Sequence, residues 1–340
     1  MTTINNLHNM KFKEELKTKV ANIATLPGDL RLPSSIAFSF EGDNIRLMLS
    51  ENAVTDNMQK DRSAFEGWAL VIYGILSSAG INCTITIDIE NDFDKIGENN
   101  LRHYNRFLYR IMKFAEQYRF VNLSERLGEL SGRFYYDGDY HFFDNSQLCI
   151  NRPTKIAEDK GTPESSAEIN FNENPSELIK ETERIFNMKM GSEIERQLPV
   201  GIYYGSKKYG NEVFTDRASA IDLWGLSEDC KTMCVYELKA KDNAAVGIIS
   251  ELFFYANLML DVYGENKNFG ICEYDGKDFR GYNKLLALQD NPIEGINAIF
   301  LVQKMHPLIT DNVIALLNNG SRNIRYGIIK YDADKNFNIV

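Results

Sequence analysis

The chain lacks any run of about 18 consecutive apolar residues, the minimum for a membrane-spanning helix, so its 340 residues offer no transmembrane segment. Its first residues, MTTINNLHNMKFKEELK, lack the apolar core of a secretory signal. Cysteine is scarce, scattered and odd in number, at five, and there are only four histidines. Cys230 and Cys234 form the one close pair, and neither a second pair nor a nearby histidine completes a zinc site. Reduced thiols and a cytoplasmic address are the expectation. Positive charge is in deficit: 38 Lys and Arg face 48 Asp and Glu, for a net charge of −10 and a pI near 5.1. Nucleic-acid binders usually carry a basic footprint, so tight, non-specific duplex binding needs basic groups gathered locally. No internal repeat is seen in the sequence. What remains is a globular composition, 44% hydrophobic, long enough for two domains with real cores.

Residues 1–150 read as a small α+β domain. Ser34–Ser50 alternates as a hairpin turning at Gly42–Asn44. Phe65, Trp68, Ala69, Ile72, Ile75 and Leu76 make a helical stripe, and Cys83–Ile89 alternates as a strand. Asn99–Phe120 is an amphipathic helix. Its Arg102, Arg106 and Arg110 recur every four residues, as a solvated face or as phosphate contacts. Nothing in this half points to a chemistry. Residues 151–173 are polar, rich in charge, and read as a linker.

The chemistry lies in residues 174–340. Asn174, Pro175 and Glu177 resemble an N-cap, N1 proline and N3 acid opening a helix, with Ile179, Phe186, Met190 and Ile194 on one face. Gly201–Tyr204 reads as a first strand. The Gly- and Lys-rich turn after it contains Lys207 and Lys208, candidate phosphate contacts or simply solvated. Two apolar, β-prone runs follow, SAIDLWGL and TMCVYELKA, joined by a polar turn at Ser227–Lys231. Strand side chains alternate, so Glu237 and Lys239 share a face, with Lys241 continuing the row and Tyr236, Leu238 and Ala240 opposite. A hairpin would bring Asp222 beside Glu237. Two carboxylates packed together repel unless a cation lies between them, and carboxylates are hard ligands suited to Mg²⁺. A lysine beside them can steady an attacking water or a developing negative charge. The tripeptide alone is unspecific, since Glu15–Leu16–Lys17 repeats it on a helix. Glu158–Lys160, Asp229–Lys231, Glu265–Lys267 and Asp275–Lys277 repeat the spacing in polar turns. The plain alternative is a strand-end ion pair on a solvated face. An apolar helix over Asn243–Val262, strands at Asn268–Tyr274, Ala298–Val302 and Ile324–Tyr331, and a helix from Thr310 to Leu317 complete an α/β arrangement with part of the sheet parallel.

From Asn174 onward these residues resemble the PD-(D/E)XK, or restriction-endonuclease-like, nuclease superfamily. The resemblance implies an αβββαβ core with a mixed sheet, Asp222 as the acid of the second core strand, and Glu237 and Lys239 as the motif of the third. The proline of the motif name is absent, since Ala220–Ile221 precedes Asp222. Glu251 stands where the family usually has glutamine or a basic residue. An upstream glutamate on the first helix often adds a metal contact in the family, which points to Glu193 in preference to Glu195. The implied activity is Mg²⁺-dependent phosphodiester hydrolysis, with Mn²⁺ as a substitute. Asp222, Glu237 and Glu193 would hold the metal, and Lys239 would orient or activate water. Lys207, Lys208 and Lys241 would be weaker nucleic-acid contacts. The implied partner is nucleic acid, DNA ahead of RNA, with no membrane, a homodimer as an option, and restriction or defence against foreign DNA as a setting. The alternative is a non-catalytic nucleic-acid- or protein-binding protein that keeps the fold.

Overall fold

In the computed structural model the described residues are 2–21, 30–90, 98–144, 147–153, 161–214, 219–241, 245–273, 279–333 and 337–340. The chain divides into two compact units. The first is Met1–His141 with Ala245–Ser250 and His306–Gly320; the second is Phe142–Ala244, Glu251–Met305 and Ser321–Val340.

The first unit contains α1 (Thr2–Val20), β1 (Ile36–Glu41), β2 (Asn44–Leu49), α2 (Glu51–Thr55), α3 (Phe65–Ser78), β3 (Thr84–Ile89), α4 (Glu98–Gln117), β4 (Val121–Leu123), α5 (Glu125–Leu130) and β5 (Arg133–Tyr136). Its sheet runs β1-β2-β3-β4. The β1–β2 hairpin is antiparallel and turns at Gly42, whose positive φ of 66° meets no obstacle. The other pairings are parallel. Phe65, Trp68, Leu76, Phe107, Ile111 and Phe114 are all buried, as their helical spacing requires. The arginine row of α4 differs from a solvated face: Arg106 and Arg110 are buried. Arg110 grips Glu66 with a fork of two hydrogen bonds and also donates to the Ser63 carbonyl at 2.9 Å. That leaves it nothing to offer a phosphate.

The strand β6 (Asp139–Phe142), paired with β5, closes the first unit but for Phe142; the second unit then holds β7 (Leu148–Ile150), α6 (Pro163–Glu173), α7 (Ser176–Phe186), β8 (Glu195–Pro199), β9 (Ile202–Tyr204) and β10 (Glu212–Phe214). There follow β11 (Ala220–Leu226), β12 (Thr232–Lys239), α8 (Gly247–Tyr263), β13 (Gly270–Ile271), α9 (Tyr282–Ala287), β14 (Gly295–Val302), α10 (Asp311–Gly320), β15 (Ile324–Asp332) and β16 (Asn338–Ile339). Of these, α10 and the first four residues of α8 belong to the first unit.

The main sheet has the order β16-β15-β14-β12-β11-β8. β8, β11 and β12 are antiparallel neighbours, β12, β14 and β15 run parallel, and β16 returns antiparallel. The fold is therefore mixed α/β with a mixed sheet. One face of it packs Leu223, Tyr236, Leu238, Ile299, Leu301 and Ile329 against Ala167, Phe171, Leu178 and Phe186 of α6 and α7. A second sheet, β10-β9-β7-β13, contains a disulfide between Cys149 and Cys272.

Several expectations are corrected here. The first strand of the main sheet is Glu195–Pro199, and Ile202–Tyr204 belongs to the second sheet. Residues 151–173 are not a uniform linker, because α6 occupies Pro163–Glu173 and buries Phe171. Its start is written in the sequence: Thr162 accepts from the Ser165 N–H at 3.1 Å and Pro163 sits in the first turn. The helix opened at Pro175 stops at Phe186, where Asn187 takes the left-handed conformation at φ 51°. Residues 193–195 are therefore not helical. Asn268–Tyr274 forms a strand only at Gly270–Ile271, and Tyr274 lies outside the described residues, as do Asp242–Ala244. Two of the five cysteines are joined, against the expectation of reduced thiols. Among the described residues no helix is long and apolar enough to cross a membrane.

Candidate functional site

The polar turn between β11 and β12 sets the site's register. The Ser227 hydroxyl donates to Asp229 Oδ1 at 2.6 Å, and the Lys231 N–H donates to the same oxygen at 3.0 Å. Cys230 supplies the positive φ that closes the reversal. Asp229 and Lys231 thus build a turn, which disposes of one repeat of the acid–lysine spacing. With Leu223 opposite Tyr236 and Trp224 opposite Val235, Asp222 falls opposite Glu237 on the same face of the sheet. The Leu238 N–H donates to Asp222 Oδ2 at 2.8 Å.

Glu237, 1% exposed, accepts a hydrogen bond from Lys239 Nζ. The same ammonium lies 3.2 Å from Glu251 Oε2 on α8. Glu251 is equally buried, and the Tyr255 hydroxyl one turn on donates to its Oε1 at 3.1 Å. Three carboxyl groups thus gather about one lysine. Glu237 Oε2 has no hydrogen-bond partner among the described residues.

The electrostatics follow from this crowding. Burial pushes the Asp222 carboxyl up to about 7, against the pull of Lys239 and with added repulsion from Glu168 and Glu251. Asp222 keeps a partial opening to solvent, but its carboxyl is packed closely enough for desolvation to dominate. Burial also raises Glu237 well above the carboxylate range, with Asp222 and Glu251 adding to it and Lys239 opposing. Desolvation alone would lower Lys239, but Glu237, Glu251 and Asp222 outweigh it and hold the ammonium charged. Fully ionised, the cluster would bury three negative charges against one positive. That imbalance is costly in a poorly solvated site.

Glu168 went unnoticed in the sequence, and Gln197 stood there only as a residue four on from Glu193 on the same helix face. Glu168 lies on α6 and is buried. Gln197 Nε2 donates to its Oε2 at 2.6 Å, and Arg196 Nε lies 3.9 Å from the same oxygen. Gln197 stands opposite Asp222 in the β8–β11 register, yet its φ is 57°, and that position drops out of the ladder. A left-handed glutamine inside a strand costs on the order of 1–3 kcal/mol, and such strain clusters at functional sites. The Thr162–Pro163–Glu164 start, with Glu168 one turn on, was the available signal for a second helix carrying acids.

The remaining expected residues lie elsewhere. Glu193 is exposed and paired with Lys284, which also holds Glu195 Oε1 at 3.0 Å. Both are engaged by Lys284, and the helix that was to present them has already ended. Lys207 and Lys208 sit in the turn between β9 and β10, in the other sheet. Lys241 is exposed and adopts φ 54°, so it leaves the row of Glu237 and Lys239. Among the described residues no three His, Cys, Asp or Glu are grouped closely enough to enclose a metal ion by themselves. The ion pairing of Lys239 with both Glu237 and Glu251, and the use of Asp222 Oδ2 by a backbone N–H, account for that.

Compared with models of known protein families, with curated proteins and with solved structures, the chain matches none.

Proposed function

We propose that the second unit is a metal-dependent nuclease with a restriction-endonuclease-like core that hydrolyses phosphodiester bonds of nucleic acid, DNA in the first instance. The observation that carries this reading is the buried set of Asp222, Glu237 and Glu251 around Lys239, in which the Glu237 carboxyl faces that of Glu251 and its Oε2 meets no other donor among the described residues. The element order supports it: helix α6 or α7, then β8, β11, β12, α8 and β14 follows the αβββαβ series, with β9 and β10 inserted. The acid stands in the second strand and the Glu-x-Lys in the third.

The donor set suits Mg²⁺ or Mn²⁺, being all oxygen, with excess negative charge and an orphaned carboxylate oxygen. Asp222 and Glu237 would hold the ion, and Glu168, whose charge already reaches Asp222, takes over the part expected of Glu193. A bound divalent ion supplies positive charge against the phosphoryl oxygens and makes a nucleophilic water available near neutral pH. Lys239 then steadies that water or the charge growing on the phosphate. Tyr255 orients Glu251, and Gln197 orients Glu168, each through one hydrogen bond.

A second reading is favoured by the direct Lys239–Glu237 and Lys239–Glu251 pairs: a binding protein that keeps the fold without turnover. In both readings the partner is nucleic acid or protein, and cutting both strands of a duplex would call for a homodimer. A cytoplasmic setting, with restriction or defence against foreign DNA as the role, belongs to the nuclease reading. With Cys149 and Cys272 joined, it rests on the substrate and no longer on reduced thiols.

The test is a cleavage panel of single- and double-stranded DNA and RNA with Mg²⁺, Mn²⁺ or Ca²⁺. Mg²⁺ and Mn²⁺ should support cutting of at least one member, and Ca²⁺ binding alone. Glu237→Ala should abolish cutting. Binding without any cutting supports the second reading, and cutting that survives Glu237→Ala means the site is misplaced.

A further inference from the structure

Arg196 and Arg280 form a second feature of this unit that no role yet absorbs. Arg196 lies on β8 with its side chain 12% exposed. Arg280 directly precedes α9, is half-buried, and donates through Nη1 to the Gln197 carbonyl at 2.7 Å. Burial lowers the Arg280 guanidinium below its ordinary value, Arg196 repels it further, and Glu195 opposes only in part. Glu195 is itself engaged by Lys284. Among the described residues the acid paired with Arg196 is Glu168, and at 3.9 Å it is beyond hydrogen-bond reach of Nε. The Nε–H groups of both arginines are buried with no acceptor among the described residues. Two like charges held together, each with an Nε–H donor unused among the described residues, cost stability that one carbonyl bond and one long ion pair offset only in part.

We propose that Arg196 and Arg280 form an anion-binding pair that takes a phosphate group of the nucleic-acid strand, one carboxyl group removed from Asp222. Planar guanidinium forks match the oxygens of a phosphate, and a single phosphodiester can accept from both. Glu168 connects the two places: it touches Arg196 on one side and repels Asp222 on the other. The pair also answers the acidic balance of the chain, since two adjacent guanidiniums, each with a buried Nε–H lacking an acceptor among the described residues, make a local basic spot that net charge does not reveal. The assignment rests on the nuclease reading for its ligand, while the anion site itself does not.

The experiment measures binding of labelled single-stranded and duplex DNA and RNA oligonucleotides in Ca²⁺, and of inorganic phosphate and pyrophosphate by calorimetry. Wild type is compared with Arg196→Gln, Arg280→Gln, Arg196→Lys and, as a control, Lys284→Gln. Each Arg→Gln change should weaken oligonucleotide binding about ten- to a hundredfold, as loss of a charge-assisted contact does. It should also flatten the dependence of log K on log salt by about 0.7 on a single strand or about 0.9 on a duplex. Arg196→Lys should recover part of the affinity, and Lys284→Gln should change neither quantity. Melting temperature separates binding from scaffolding. Relief of repulsion keeps Arg196→Gln at least as stable as wild type, whereas a structural guanidinium there would lower it; Arg280→Gln also loses the bond to the Gln197 carbonyl and is read by affinity and salt slope alone. Oligonucleotide binding with unchanged affinity and salt slope in both variants overturns the pair and leaves the nuclease reading standing. Phosphate binding lost in the variants, with no oligonucleotide bound by wild type, keeps the pair and removes the nucleic-acid ligand. Binding of neither probe by wild type overturns both.

Discussion

Replacing Asp222 with asparagine should stabilise the metal-free protein in a pH-dependent way. The carboxyl rises from an ordinary 3.8 to about 7 in the folded state, chiefly through burial. A carboxyl raised on folding holds its proton longer when folded than when unfolded. Stability attributable to it is therefore intact below the unfolded value and is lost as pH climbs from about 4 through 7. Each unit corresponds to about 1.4 kcal/mol, so the loss approaches about 4 kcal/mol above pH 7, with about 1.5 kcal/mol already gone at pH 5. Asparagine retains an oxygen for the Leu238 N–H but does not ionise. Its advantage over wild type should grow by about 2–3 kcal/mol between pH 5 and pH 8. For a unit of this size that is roughly 5–10 °C in Tm.

The assay is thermal unfolding of both proteins in chelator across that range. Curves that run parallel, or an asparagine advantage larger at pH 5 than at pH 8, would refute the buried-carboxylate argument. Addition of Mn²⁺ at pH 8 should then raise the Tm of wild type and leave the variant nearly unmoved, because ligand linkage acts only where binding occurs.

Other outcomes follow from the same geometry. Lys239→Ala removes the one cation among three acids, so it should lower Tm more at pH 8 than at pH 5 and reduce cleavage while metal binding, read by Mn²⁺ titration, persists. Glu168→Gln should diminish cleavage and metal affinity, whereas Glu193→Gln, exposed and paired with Lys284, should leave both within error; the reverse ranking would restore the sequence-based choice. Reduction of Cys149–Cys272, or Cys149→Ser, opens a link of 123 residues' separation and should cost about 2–5 kcal/mol in denaturant unfolding. Glu66→Gln, which leaves Arg110 buried without its counter-charge, should cost about 3–5 kcal/mol.

What the sequence disclosed was whatever local chemistry alone decides. Alternation placed Tyr236 and Leu238 on one face and Glu237 and Lys239 on the other, and the turn at Asp229 fixed the hairpin that puts Asp222 opposite Glu237. Helical spacing found α3, α4 and α8. What stayed hidden depends on departures from regular geometry or on distant partners. Left-handed residues at Asn187, Gln197 and Lys241 end a helix, break a strand's alternation and turn a lysine out of its row. None of these residues is a glycine that would have announced it. The polar composition around residues 151–173 concealed α6, whose burial rests on only a few apolar residues such as Ala167 and Phe171. Arg110 seemed solvated by its periodicity because its counter-charge, Glu66, is 44 residues away.

That same Glu66–Arg110 pair shows what a purely structural buried charge requires in this protein. The two ions are matched one to one. The guanidinium spreads its donors over both carboxylate oxygens and the Ser63 carbonyl, the Ser250 hydroxyl adds a further donor to Glu66 at 2.7 Å, and the Phe65 ring lies 4.8 Å from the guanidinium carbon. Every group there has an internal reason to be where it is. The cluster around Lys239 breaks each of those conditions. Its acids outnumber its cation three to one, a carboxyl oxygen of Glu237 has no donor among the described residues, and the residue opposite Asp222 is held in a strained conformation. Replacing such a cluster with apolar residues of similar volume would stabilise the fold. Its retention in the sheet is therefore not explained by stability. On the proposed reading a cation and an anion from outside would answer it, the first balancing Asp222, Glu237 and Glu251, the second pairing with Arg196 and Arg280. A phosphodiester bound with its divalent ion brings both charges at once.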